Sequence, residues 1–195
     1  MLTRRTLFAL AGASTLAGAP RAWAQDATGF VVQLGNQLTA IVNGPGSYAD
    51  KKARLAPLIE QAVDVDGIAR FCLGRFWRSA TPEQQAQYQA LFRQVLLSNV
   101  FGKLGEFQGV TFTPTQTTQT PDGASVGTVI RRPNQQPNNV QWIVATVDGR
   151  PKIVDVKAEG TSLRLTQRND YSAFLQRNNS NVDALIGAMR GQVTG

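Results

Sequence analysis

The sequence predicts an α+β protein: a curved antiparallel sheet of four or five strands with helices packed before and after it. Three observations carry this reading. Apolar residues recur at helical spacing from Phe30 to about Gly105, the period drops to two after Gly109, and helical spacing returns from Gln167. Strands run together between runs of helices make an α+β class, in contrast to the strand-helix alternation of a parallel sheet.

The first helix is read from Phe30, Val31, Leu34, Leu38, Ile41 and Val42, and Asn43-Gly44-Pro45-Gly46 stops it. A second spans Tyr48 to Ala62 with Leu55, Leu58, Ile59 and Ala62 inward, and Pro57 is a potential break within it. A short third runs from Val65 to Leu73. The strongest start signal follows at Thr81-Pro82-Glu83-Gln84: Thr81 caps, Pro82 takes the first helical position where its missing N–H costs nothing, and Gln84 completes a capping box. Tyr88, Leu91, Phe92, Val95, Leu96, Val100 and Leu104 carry this helix to about Gly105.

Val110, Phe112 and Pro114 then alternate with threonines, which marks an edge-type strand because proline cannot donate to a ladder. Pro121-Asp122-Gly123 turns the chain into a second strand, Ser125 to Arg132. Val140 to Val147 and Lys152 to Ala158 follow as a third and a fourth, with Asp148-Gly149-Arg150-Pro151 between them. Short turns between neighbours imply an antiparallel meander. Gly160 supplies a bend after the fourth strand, and Glu159 a polar partner for backbone or arginine. Gln167 to Gln176 and a last helix capped by Asn181, with Val182, Leu185, Ile186 and Met189 inward, close the chain.

Residues 1–24 have a basic start at Arg4 and Arg5, an apolar run from Leu7 to Gly18, and Ala22-Trp23-Ala24 before Gln25, the three-part layout of an export signal. The run is shorter than the roughly 20 residues a bilayer span needs. It is expected to be removed, leaving residues 25–195 as one exported domain. Arg4-Arg5 also resembles a twin-arginine signal, although paired arginines occur in ordinary export signals too.

Composition excludes whole classes of chemistry. With no His and one Cys, the chain builds no usual zinc site, no Ser-His-Asp triad, no Cys-His pair and no internal disulfide. Cys72 sits in an apolar run and reads as a small buried hydrophobe. No glycine-rich phosphate loop is present, and no cofactor is implied. Removing Arg4, Arg5 and Arg21 from the 20 basic residues leaves 17 against 13 acidic, a net charge of +4 after export. That excess is not gathered into a stripe with aromatics, so it argues for an anionic membrane surface over nucleic acid. A bent sheet with long helices across one face can enclose a space, and function is expected there.

Phe71, Leu73-Gly74, Trp77 and Ala80-Thr81-Pro82-Glu83-Gln84, followed by Lys152-Ile153-Val154-Asp155-Val156, Glu159-Gly160, Ser162-Leu163 and Gln167-Arg168, resemble the MlaC-type phospholipid-binding family, also called toluene-tolerance auxiliary proteins. The resemblance covers about Phe30 to Met189. It implies a periplasmic protein with a fold similar to the nuclear-transport-factor-like folds and a deep apolar cavity for acyl chains. It further implies a monomeric shuttle, without covalent chemistry, between an outer-membrane lipoprotein-porin complex and an inner-membrane ATP-driven transporter, maintaining outer-membrane lipid asymmetry. A tail of about 16 carbons exposed to water costs about 0.8 kcal/mol per CH₂, on the order of 12 kcal/mol, so the enclosure has to be nearly complete.

On that basis the candidates for lining the cavity are Phe76, Trp77, Leu91, Phe92, Val95, Leu96, Leu104 and Phe107 from the helices. From the sheet side they are Val129, Trp142, Val144, Val154, Val156 and Leu163. Each also reads as ordinary core, since an apolar stripe does not reveal whether it faces protein or lipid. Arg164 and Arg168 are candidates for pairing with lipid phosphate at the mouth. Asp155 alternates with Val154 and Val156, so it points away if those two face inward. The alternatives are a hopanoid cargo in the same fold, or an isomerase or dehydratase of related shape, which needs a buried acid or base that this sequence does not place inward.

Overall fold

A computed structural model of the chain describes residues 19–194, with side chains for 26–193. The expected export signal therefore lies mostly outside the described residues. The first helix, α1, is Ala19–Asn43, so it is continuous through the expected cleavage point after Ala24. It is followed by α2 (Tyr48–Ala62), α3 (Val65–Leu73), α4 (Pro82–Gly102), β1 (Thr111–Thr120), β2 (Gly123–Arg131), β3 (Asn138–Val147), β4 (Arg150–Ala158), β5 (Thr161–Ser162), α5 (Leu163–Arg177) and α6 (Val182–Thr194). Single 3-10 segments, Gly74–Arg78 and Leu104–Phe107, flank α4.

The expected caps are in place. Thr81 accepts from the Gln84 backbone while the Gln84 side chain accepts from the Thr81 backbone, which fixes the start of α4. Ser47 and Asp50 form the same reciprocal pair before α2. Pro57 does not break α2, because it and Ala53, whose carbonyl it leaves unmatched, face solvent. α4 ends at Gly102, earlier than its apolar stripe suggests, and the tighter 3-10 turn carries Leu104 and Phe107 inward.

All five strands pair antiparallel with their sequence neighbours in the order β1-β2-β3-β4-β5. β1 is an edge, and its Pro114 lies where the register against β2 shifts. One sheet face, built from Ala124 and Val126 of β2 and Val144 of β3, packs on Ala27 and Val31 of α1. Farther along the same helix, Leu34 meets Ile153, Trp142 and Val156. The Asp64 N–H donates to the Ile153 carbonyl at 2.9 Å, pinning the α2–α3 junction to the edge of β4.

A separate core forms among the remaining helices. Tyr88, Phe92 and Tyr171 pack ring to ring with centroids 5.9 to 6.4 Å apart, surrounded by Leu73, Leu175, Ile186 and Met189. The buried Tyr88 hydroxyl donates to the Ala69 carbonyl at 2.9 Å, which removes the penalty of an unpaired polar group. So α4 turns most of its apolar stripe toward other helices, and α1 is the helix that covers the sheet.

α5 begins at Leu163, four residues before its expected start. Its cap is the Ser162 hydroxyl, which accepts from the Leu165 N–H at 3.1 Å and donates to Asp155 at 2.6 Å. Leu163, an inward candidate in the sequence, is 52% exposed, and Leu165 is 48% exposed.

Candidate functional site: an apolar hollow beneath the first helix

The site starts from the periodicity of α1. Val31, Leu34, Gly35, Leu38, Thr39 and Val42 recur at steps of three and four and so share one helical face. Across from them stand Phe112 of β1, Ile130 of β2 and Trp142 of β3, the last two on neighbouring strands whose inward positions coincide through the β2–β3 register. Leu55 of α2, Val100 at the end of α4, Leu104 and Phe107 of the 3-10 turn, and Val110 close the ends.

These side chains enclose a cavity of about 220 Å³. Two small residues on the stripe shape the space: Gly35 admits a ring from the opposite wall, and the short Thr39 leaves room unfilled. At Gly35 a β-carbon would fall 2.7 Å from the Phe112 ring, so only glycine lets that ring approach the helix. Thr39 is short, and its hydroxyl is spent on the Gly35 carbonyl at 2.7 Å.

The lining is chemically inert. The Trp142 indole N–H donates to the Thr128 hydroxyl at 2.9 Å, and the Thr128 hydroxyl in turn donates to the Val140 carbonyl at 3.1 Å. Among the described residues, no ionisable side chain lines the cavity. A carbonyl or phosphate in its interior would meet no acid, base or cation, whereas a hydrocarbon would meet matching surface.

A second, smaller cavity of about 110 Å³ adjoins it. Val42 and Leu104 are common to both, and the far side carries Gly46, Tyr48, Lys51 and Gln108.

The candidates read from the sequence divide sharply. Leu104, Phe107 and Trp142 line the large cavity. Phe76, Phe92 and Val95, with Trp77, Leu91 and Leu96 against them, belong to the helical core of α3 to α6. Val144 packs on α1, and Val156 joins the Leu34 cluster beside the cavity. Val154 is the extra residue of a bulge, since Ile143 pairs with Asp155 and Val144 with Ile153. Val129 alternates away from Thr128 and Ile130, and Leu163 is exposed.

Arg164 and Arg168 lie away from the cavity. Both guanidinium groups sit over the Phe71 ring, at 4.5 and 4.8 Å. Arg164 also pairs with Asp122 at 2.8 Å and Asp155 at 3.6 Å. Asp155, 3% exposed at its side chain, further accepts from the Ser162 hydroxyl and the Val156 and Arg164 N–H groups. Asp155 is a structural anchor joining β4, β5 and α5.

Among the lining residues not put forward as cavity candidates from the sequence are Val31, Leu34, Leu38, Val42, Phe112 and Ile130. Most were visible as apolar periodicity. What distinguishes them is Gly35 and Thr39 in the same stripe, small residues where a packed helix carries large ones.

The groups whose ionisation is most perturbed lie elsewhere. Burial pushes the Cys72 thiol up to about 12 and raises Tyr88 and Tyr171 in the helical core. The Ser47 hydroxyl and backbone hold Asp50 below the usual carboxylate range. No described helix is long and apolar enough to cross a membrane.

Fold and site together define an α+β protein with an open five-stranded meander and an ion-free apolar hollow under its first helix. The sequence profile described as MlaC protein matches residues 33–191, nearly the whole described chain, and the protein belongs to the MlaC family. It is 28% identical over 156 residues to the toluene tolerance protein ttg2D of Pseudomonas putida, covering 77% of this chain and 70% of that relative. Its fold matches a phospholipid-binding protein of Ralstonia solanacearum, solved in complex with a phospholipid, with a TM-score of 0.75 at 21% identity over 86% of this chain and 97% of that one.

Proposed function

We propose that this protein is a periplasmic carrier of phospholipid, moving it between an outer-membrane lipoprotein-porin complex and an inner-membrane ATP-driven transporter, with no chemistry performed on the lipid. The observation that carries the reading is the hollow under α1, which has room for a guest and offers it almost entirely apolar surface. Membership of the MlaC family and the fold shared with a phospholipid-binding protein support the choice of guest.

A volume of about 220 Å³ holds about seven methylene groups if each takes roughly the 30 Å³ of a water molecule. At about 0.8 kcal/mol per CH₂, that length contributes about 6 kcal/mol. A whole tail of about 16 carbons needs about twice that space, so full loading requires α1 and the Leu104–Phe107 turn to move apart. A tail held on this scale leaves slowly into water. Loading and unloading therefore belong at membrane-bound partners, and the basic excess favours docking at anionic surfaces.

Mass spectrometry of lipid extracted from protein purified out of its own periplasm tests the reading. Stoichiometric two-tailed phospholipid is the expected result. A hopanoid would transfer the reading to a polycyclic cargo, and an empty extract from a folded protein would overturn it.

A further inference from the structure

The smaller cavity contains a charge that the apolar hollow does not use. Lys51, near the start of α2, is 9% exposed. Its ammonium donates to the Val42 carbonyl at 2.7 Å, in the last turn of α1, where a cation is favoured by the helix dipole. That accounts for one of the three donors of a lysine ammonium. None of the ion pairs among the described residues includes Lys51. The neighbouring carboxylate, Asp50, is turned to the Ser47 N–H and hydroxyl at 2.9 and 2.7 Å.

A largely buried cation without a counter-charge is costly unless something anionic completes it. The position of Lys51 specifies where that anion comes from. Its cavity shares Val42 and Leu104 with the apolar hollow, so Lys51 is a cation next to the space where a tail would lie among Leu34, Leu38 and Trp142. Tyr48 and Gln108 border the same space and add polar atoms.

We propose that Lys51 is the phosphate-binding residue of this protein, receiving the phosphodiester of a lipid whose tail fills the adjoining hollow; the assignment rests on the carrier reading above. Lysine serves as a compact point charge for phosphate, so the contact selects the monoanionic diester common to all phospholipids and is indifferent to the group beyond it. The protein would then bind phospholipid in preference to neutral lipids with identical tails.

The test uses lipid-stripped protein and competition between dioleoylphosphatidylglycerol and dioleoylglycerol, which share their tails and differ in the phosphate. The wild type is expected to prefer the phospholipid at least about tenfold, the scale of one hydrogen bond to a charged group. K51M should bring the preference near one, and K51R should restore most of it, with circular dichroism showing all three folded. Equal retention of both lipids by the wild type would overturn the assignment of Lys51 while leaving the carrier intact. Retention of neither would overturn the carrier reading itself. Inorganic phosphate alone, added at millimolar concentration, should bind weakly; if it bound as tightly as the lipid, in a Lys51-dependent way, the site would be one for free phosphate and the lipid assignment would fall. Where K51M does not fold, a wild type without the preference still overturns the assignment, and a K51R that keeps it supports the charge at this position.

Discussion

Thr39→Phe fills about half of the hollow without disturbing the frame around it. The Thr39 hydroxyl bonds only within its own helix, to the Gly35 carbonyl, so its removal leaves no partner stranded. Phenylalanine adds about four heavy atoms at roughly 30 Å³ each, filling about half of the 220 Å³ cavity. The room left holds about three or four methylenes in place of about seven, a loss of about 3 kcal/mol at 0.8 kcal/mol per CH₂. That corresponds to lipid affinity about a hundredfold weaker. Because the ring fills empty space, the melting temperature of the stripped protein should hold or rise slightly. Ala40→Phe, on the exposed side of the same helix, is the control. Copurified lipid, quantified by mass spectrometry, and thermal unfolding give the two readouts. A folded Thr39→Phe that keeps the full wild-type lipid complement would show that tails do not occupy this cavity.

Two further perturbations separate scaffold from site. Arg164→Ala removes the guanidinium shared by Asp122, Asp155 and the Phe71 ring; it should cost about 1–3 kcal/mol in urea unfolding and leave the lipid preference of the folded fraction unchanged. A selective loss of phospholipid would return Arg164 to the headgroup. Cys72 links stability to alkaline pH. Its folded value, raised by burial from 9.0 to about 12, means that its contribution is fully present below pH 9 and is lost as pH rises toward 12. The stability difference between wild type and Cys72→Ala should change by roughly 1.4 kcal/mol per pH unit at most in that window, and be flat below it. A difference that stays constant through pH 11 would refute the assignment.

Much of this molecule can be read along the chain because its determinants are local. The reciprocal Thr81–Gln84 cap, the turn at Asp122-Gly123 and the threonine-proline alternation of β1 each need only neighbours within a few residues. Leu163 and Leu165 show the limit. Their alternation continues that of β4, yet Ser162 and Asp155 start a helix there and leave both leucines in solvent. Lys51 shows it from the other side, because nothing in Tyr48-Ala49-Asp50-Lys51-Lys52 marks one lysine as buried and the next as lying over the Phe101 ring at 5.2 Å.

By itself the sequence determined the class, the strand order, the caps and the absence of histidine or paired-cysteine chemistry, since each follows from composition or from contacts a few residues apart. Which apolar stripe faces an empty space was decided only in three dimensions. The stripes of α1 and α4 obey the same period, and only packing settles that α4 meets other helices while α1, touching the Phe112 ring at Gly35, leaves a hollow beside it against Ile130 and Trp142. A cavity is a property of distances between elements remote in sequence, and hydrophobic periodicity records the direction a side chain takes but not what it finds there.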